Sequence, residues 1–552
     1  MLNPIKLANK TINEECGEME FGVVDLFAGP GGLAEGFSSV RDPDTKLHPF
    51  RVVLSVEKEK WAYETLRLRT FLRQFTGQLP KEYYQFLNGR ISEPNWKTLY
   101  PAEWEQACSE ALHLELGTAK AAKVLNARLD SIRKRFKGQT ILIGGPPCQA
   151  YSLVGRARNK GVAGYSAKDD RRHFLYQEYI QILARLKPAA FVMENVKGLL
   201  SSSVDGQQIF EKVLRDLSKP PHSEIEYKLI PLAPRPQSVN TLRSFQYSAY
   251  DFVVRAEDHG IPQARHRVII VGIREDIAKN IEEIDSLRIP LSRRKSCLRH
   301  VIGGMPKLRS GVSKKEQDEA AWRTEVAKAA SRIARLKVPL NSKDLIDFRK
   351  KARNVAKALK RKNFKLSRTG EGSSALGRGC PAELQEWLID RNVKVLRDTE
   401  TRSHMAADLA RYLYASLFAE VTGKSPKADQ FPPELAPRHK NWKSGKFADR
   451  FRVQVWDAPS TTVTSHISKD GHYFIHPDPR QCRSLTVREV ARLQTFPDNY
   501  YFKGGRTQQY TQIGNAVPPL LANKIAAAIY RVLKISASAK SYPYIGPSRT
   551  LP

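Results

Sequence analysis

Five short apolar runs mark the chain between Phe21 and about Gly272: FGVVDLF, RVVLSV, TILIGG, AAFVMEN and RVIIVGI. Each is continuously apolar over four or more positions, the pattern of strands buried on both faces. Between two of them, FLYQEYIQILARL repeats its apolar residues at helical spacing and predicts an amphipathic helix. Strands alternating with helices predict a doubly wound α/β sheet. From about Pro290 to Arg452 the alternation dissolves into basic sequence such as LRSGVSKKEQ and FRKKARNVAKALKRKNFKLSRTG, so a separate unit is expected there. Regular punctuation returns after Trp456, where SLTVREVARLQTFPD and QIGNAVPPLLANKIAAAIY each predict a helix or a turn leading into one. No internal repeat is found.

Composition adds a partner. The chain has 552 residues, enough for a main body with a further domain or large insertion, and a formal net charge of +34. So large an excess of Lys and Arg attracts a polyanion in a salt-dependent way, and nucleic acid is the first candidate; charge alone does not separate DNA from RNA or anionic lipid. Six cysteines stand far apart without a CxxC pair, which argues against a zinc module and a disulfide framework and suits a reducing cytosol. The amino terminus carries no signal-peptide pattern and no run is long enough to span a membrane, so a soluble protein is expected.

Three stretches carry chemistry. In ILIGGPPCQAYS a strand-like run is stopped by Gly-Gly-Pro-Pro, because proline fixes φ and donates no ladder hydrogen bond. Cys148 then falls at a strand's carboxyl end, where open α/β sheets bind ligands. The bland alternative is a buried cysteine acting as a small hydrophobe. DLFAGPGGLAEGF follows a strand and enters a helix, the context of a glycine-rich cofactor loop, with Gly29, Gly31 and Gly32 permitting close backbone approach. Glu57 ends the second strand, where a carboxylate can take a ribose hydroxyl, so an adenosine-containing cofactor is expected. Glu194 and Asn195 end the strand AAFVM, placing a candidate acid at the same rim as Cys148.

Taken in order, DLFAGPGG, GGPPCQ, MENV, Gln263-Ala-Arg-His-Arg267, RLQTFPD and Gln512-Ile-Gly-Asn-Ala-Val-Pro-Pro519 closely resemble the DNA cytosine-5 methyltransferase family, bacterial type. The resemblance covers almost everything except the basic middle region. It implies a Rossmann-like methyltransferase fold that uses S-adenosylmethionine, with a target-recognition domain inserted. It further implies that the Cys148 thiolate adds to C6 of a flipped cytosine, which makes C5 nucleophilic toward the methyl group. Glu194 would act at N3, Arg265 would steady the base oxygen, and Arg267 would help hold the loop. Phe27, Ala28, Gly29, Gly31, Gly32 and Leu33 are assigned to the cofactor turn, Glu57 to the ribose, and Pro146, Asn515 and Val517 to the same pocket. Gln149 to Gly155 resembles the loop that closes over the flipped base. The family's acidic element that contacts the adenine amino group has no obvious counterpart in the long segment between Glu57 and Ile141.

These readings divide the chain into an amino-terminal extension (1–17), a catalytic part (18–285), a recognition domain (286–454), a second catalytic part (455–540) and a tail (541–552). The expected activity is sequence-specific methylation of cytosine C5 in double-stranded DNA, within restriction-modification or as a solitary methylase. A cognate endonuclease would be a separate chain, and the enzyme a monomer on DNA in a bacterial cytoplasm, associated with the nucleoid. Two competitors are RNA cytosine methylation, opposed by the large basic insert, and a silent DNA-binding regulator, opposed by the presence of both Cys148 and Glu194. His466, His472 and His476 alternate as in a hairpin, and no metal is expected there.

Overall fold

A computed structural model describes residues 19–147, 175–201, 203–204, 207–233, 247–279, 287–370, 375–437, 442 and 450–540. Its centre is an eight-stranded sheet. The strands are β1 (Phe21–Leu26), β2 (Phe50–Glu57), β3 (Ala111–His113), β4 (Thr140–Gly144), β5 (Ala190–Val196), β6 (Tyr227–Ile230), β7 (Val253–Arg255) and β8 (His266–Arg274). They lie in the order β3-β2-β1-β4-β5-β8-β6, with β7 pairing the other end of β8. Pairing is parallel from β3 to β5, and β8 runs antiparallel to β5, β6 and β7. Strands β1 and β4 are buried at every position, as their uninterrupted apolar runs predict.

Period-two alternation sends residues of one strand into two different cores. Phe21 and Val23 of β1, Ile141 and Ile143 of β4, and Ala190 and Val192 of β5 share one face. That face is covered by α1 (Gly32–Ser38) and by the long terminal helix Pro519–Lys540. Val24, Leu26, Leu142 and Phe191 point the other way, against helices Ala119–Arg135 and Leu175–Leu186. The result is a three-layer α/β/α sandwich with β1, β4 and β5 at its centre. No helix of the described residues is long and apolar enough to cross a membrane.

The span 286–454 is divided between two cores. Leu287, Ile289, Leu298, Val301, Ile302, Leu384, Leu388 and Leu396 join the main core beside β1 and the terminal helix. Three longer helices, Glu319–Ile333, Ser342–Lys360 and Ala406–Thr422, pack on one another around Trp322, Phe348, Tyr412 and Tyr414. Asp318 and Asn341 cap the first two by accepting the N–H of Ala321 and Asp344. On the second of these helices Lys350, Arg353, Lys357 and Lys360 are all exposed at i, i+3, i+7, i+10 spacing, a single basic stripe. The stretch from His466 to His476 is no strand hairpin. Ser465–Ser468 forms a 3₁₀ turn, Asp470 accepts the His472 N–H, and Gly471 takes a left-handed φ of 76°.

A short helix, Val487–Leu493, locks the two halves of the chain together. Thr486 and Glu489 form its capping box. Around it three fully buried arginines are paired: Arg483 with Glu489, Arg488 with Asp398, and Arg492 with Asp498. Arg492 also donates to the carbonyls of Val301 and Ala375, so one guanidinium ties down two remote segments.

Candidate active site

The glycine turn after β1 is built on three left-handed positions at every second residue: Phe27 (φ 55°), Gly29 (φ 57°) and Gly31 (φ 99°). Only glycine takes this conformation freely, which explains two of the three. Ala28 N–H bonds to the Val56 carbonyl at 3.0 Å, stitching the turn to β2. Gly29 N–H donates to Glu57 Oε2 at 2.8 Å, while Glu57 Oε1 accepts the N–H groups of Lys58 and Glu59 at 2.9 and 2.7 Å. Burial pushes the Glu57 carboxyl up, opposed by these three donors. The Tyr500 hydroxyl donates to the Pro30 carbonyl and props the turn from behind.

Residues expected at the turn divide by the direction they face. Leu33 is buried in the main core, and Ala28 packs with Leu66 and Ala111. Phe27 is half-buried. Gly32 lies against the carboxyl-terminal element: a Cβ there would come within 2.4 Å of the Val517 carbonyl oxygen. Val517 is buried, and Asn515, at the end of helix Arg506–Asn515, is exposed. A Cβ built at Gly29 meets no atom within 4 Å, so open space borders the turn on that side.

Glu194 and Arg267 meet across the β5–β8 pair. Arg267 opposes Val196 and Ile269 opposes Glu194, so Glu194 and Arg267 are diagonal neighbours on one face. Arg267 Nε lies 2.9 Å from Glu194 Oε1, with both side chains about seven-eighths buried. Burial lowers the Arg267 guanidinium, and Glu194 opposes that shift. A Cβ on Gly145 would stand 3.0 Å from Glu194 Oε2, so the glycine after β4 leaves room for this carboxyl. Asn195 Nδ2 donates to the Pro146 carbonyl at 3.3 Å, which fixes the proline turn to the end of β5.

Arg265 is buried and donates through Nη1 to the carbonyls of Val463 (2.8 Å) and Gly514 (3.4 Å). Its Nε has no hydrogen-bond partner among the described residues. Burial, then the neighbouring Arg267, hold its pKa well below the usual arginine value. Cys148 and the loop Gln149 to Gly155 lie outside the described residues, as do the extension 1–17 and the tail 541–552. The chain can be followed to Pro147, next to the Pro146 carbonyl held by Asn195.

Two acids carry no signal strong enough to single them out in the sequence. Glu115 lies just past the end of β3 and pairs with Lys58, the residue after Glu57, at 3.4 Å. Its one available mark is an acid two residues beyond the β-compatible ALH. Asp25 of β1 is fully buried, neither carboxylate oxygen has a partner among the described residues, and burial pushes its pKa up to about 8. Among the described residues no group of three or more His, Cys, Asp or Glu is placed to hold a metal ion.

The profile of the family described as C-5 cytosine-specific DNA methylase matches residues 91–228 and 235–531. The chain is 33% identical over 531 residues to the type II methyltransferase M.Bpa9945I of Bacillus paralicheniformis, covering 93% of this chain and 99% of that one. It is 28% identical over 458 residues to the DNA (cytosine-5-)-methyltransferase M.ApeKI of Aeropyrum pernix, covering 78% and 89%. Among solved structures, a prophage-encoded DNA modification methyltransferase of E. coli matches with a TM-score of 0.50 and 18% identity, over 93% of this chain and 100% of that one. This last match bears on the fold, which is that of a Rossmann-like methyltransferase.

Proposed function

Because the chain belongs to the C-5 cytosine-specific DNA methylase family and is a DNA (cytosine-5-)-methyltransferase, we propose that it methylates one cytosine in a specific duplex sequence through a covalent Cys148 adduct. The observation that carries the site assignment is the diagonal Glu194–Arg267 pair beside Gly145 and the anchored Pro146. It puts an oriented carboxyl at the carboxyl rim of the sheet, next to the turn from which Cys148 follows.

The residues of the turn fit S-adenosylmethionine. Open space borders Gly29, and among the described residues Glu57 Oε2 accepts one N–H, leaving capacity for a ribose hydroxyl. Phe27, Gly29, Gly31 and Gly32 shape that side, Ala28 and Leu33 anchor the turn from the cores behind it, Val517 and Asn515 close it, and Pro146 borders it. Glu115 is the candidate for the adenine amino group. When bound, the cofactor supplies an electrophilic methyl group.

A stacked cytosine is out of reach of these groups, so the base is flipped into the pocket, with Gln149 to Gly155 closing over it. The Cys148 sulfur then adds to C6. Glu194 hydrogen-bonds or protonates N3, drawing electrons from C6, and Arg267 keeps the Glu194 carboxyl in place. Arg265, held by two carbonyls and with Nε unpartnered among the described residues, steadies the base oxygen. After transfer a base removes the C5 proton and the sulfur departs.

Within the span 286–454, the unit built on the helices Glu319–Ile333, Ser342–Lys360 and Ala406–Thr422 acts as the recognition domain, with the exposed stripe from Lys350 to Lys360 on phosphates, while the segments that join the main core belong with the catalytic body. The enzyme works as a monomer on DNA in the cytoplasm, associated with the nucleoid, as half of a restriction-modification pair whose endonuclease is another chain or as a solitary methylase. Mapping 5-methylcytosine in DNA from a host expressing the gene tests the whole reading. One methylated sequence context is expected, and none with Cys148→Ser; methylation by that variant would overturn the covalent route.

A further inference from the structure

Two buried glutamines connect the base side of the site to the cofactor side. Gln263 and Gln494 are both fully buried. Gln263 Nε2 donates to Gln494 Oε1 at 2.9 Å and to the Leu493 carbonyl at 3.2 Å, and its Oε1 accepts the Val463 N–H at 2.8 Å. Gln494 Nε2 in turn donates to the carbonyls of Ile513 (2.5 Å) and Ala516 (3.2 Å). Each amide is oriented unambiguously, because an N–H fixes one oxygen and carbonyls fix both nitrogens.

The circuit ends on Arg265 at one side and on the element beside Gly32 at the other. Val463, held by Gln263, is the residue whose carbonyl accepts from Arg265, and Gly514, whose carbonyl also accepts from Arg265, lies between the two carbonyls held by Gln494. Ala516 is followed by Val517, whose carbonyl lies over Gly32 of the cofactor turn. Arg265 and Val517 thus hang from one rigid pair of side chains, although they are 252 positions apart in the chain. An apolar pair of the same shape would fill the space but leave the Val463 N–H and the Ile513 and Ala516 carbonyls without these side-chain partners.

We propose that Gln494, acting with Gln263, is a positioning residue that sets the offset between the target cytosine and the methyl donor. The inference rests on the reading of Arg265 as base-holding and Val517 as cofactor wall. Transfer between two bound reactants depends steeply on that offset, whereas binding each one alone does not. Gln494 touches neither reactant. It works through the segments 463 and 513–517.

The test uses the full chain and a duplex carrying the methylated site mapped for the wild type. Gln494→Met conserves volume and removes the amide; Gln494→Glu keeps the acceptor for Gln263 and alters the donor end. Whichever variant melts cooperatively is read. The single-turnover rate at saturating S-adenosylmethionine and duplex should fall about 100-fold, the cost of roughly 1 Å of misplacement. Dissociation constants for S-adenosylhomocysteine and for the duplex, each measured alone, should stay within about twofold of wild type. A rate within about threefold of wild type, or a rate loss matched by an equal loss of affinity, would show that the pair is structural filling. A wild-type protein that methylates no cytosine would instead sink the functional reading itself, a result distinguishable from an active variant.

Discussion

Replacing Gly32 by alanine tests whether the Val517 carbonyl forms the wall of the cofactor turn. Gly32 opens α1 without a left-handed φ, so its backbone accepts alanine and the effect is purely one of space. The new Cβ would lie 2.4 Å from the Val517 oxygen. The closest ordinary C···O approach is about 3.3 Å, so turn and wall must separate by roughly 0.9 Å. Overpacking of this kind costs about 1–3 kcal/mol. If that cost is expressed in the shape of the pocket, affinity for S-adenosylhomocysteine falls roughly 5- to 150-fold. Titration calorimetry measures it, with a thermal melt to establish that the variant is folded. Gly77→Ala is the control: Gly77 has a left-handed φ of 88° and no atom within 4 Å of its Cβ position, so only stability should suffer, by about 1–2 kcal/mol. A folded Gly32→Ala protein with wild-type affinity would refute the argument, because the wall would then lie away from the ligand.

Glu194→Gln should lower single-turnover methylation by about 100-fold or more while S-adenosylhomocysteine affinity holds, since the acid acts on the base alone; an unchanged rate would leave Glu194 as a mere partner for Arg267. Neutralising Lys350, Arg353 and Lys357 to Gln should reduce the slope of log affinity against log salt by up to about 0.9 for each phosphate no longer neutralised, with the methylated sequence unchanged. An unaltered slope would point this stripe away from DNA. Asp25 gives a pH prediction: its folded value near 8 lies above the unfolded value of about 4, so the folded state binds the extra proton between them. The stability this contributes is full below pH about 4 and is lost as pH rises toward about 8. Asp25→Asn should therefore lose less melting temperature than wild type between pH about 6 and about 9, and parallel curves would mean that Asp25 meets an unseen partner.

Strands β1, β2, β4, β5 and β8 are legible in the sequence because each is largely buried and carries an apolar run. Strand β3 is not. Its three residues run from buried to exposed and follow directly on a helix, so neither length nor alternation marks them. The contact between Glu194 and Arg267 is a matter of register between strands far apart in the chain, which local pattern cannot supply. Leu298, Val301 and Ile302 are scattered among basic residues, and their place in the main core is hidden by the surrounding charge. Gln263 and Gln494 stand within the motifs QARHR and RLQTFPD, but nothing in either motif tells that the two amides meet, because an amide's importance is set by what it reaches.

The terminal helix covers the same apolar face as α1, and this has a consequence for how the protein is made. Ribosomes add roughly 5–20 residues per second, so the face formed by β1 and β2 waits on the order of half a minute or more for the helix that shields it. During that interval the nascent sheet can be covered only by chaperones or by its own incomplete core. The emergence of Pro519–Lys540, not that of any one earlier segment, then becomes the moment at which the sheet can first be closed. Slowing translation across the basic helices would lengthen the exposure and favour aggregation, while the finished protein would remain unchanged.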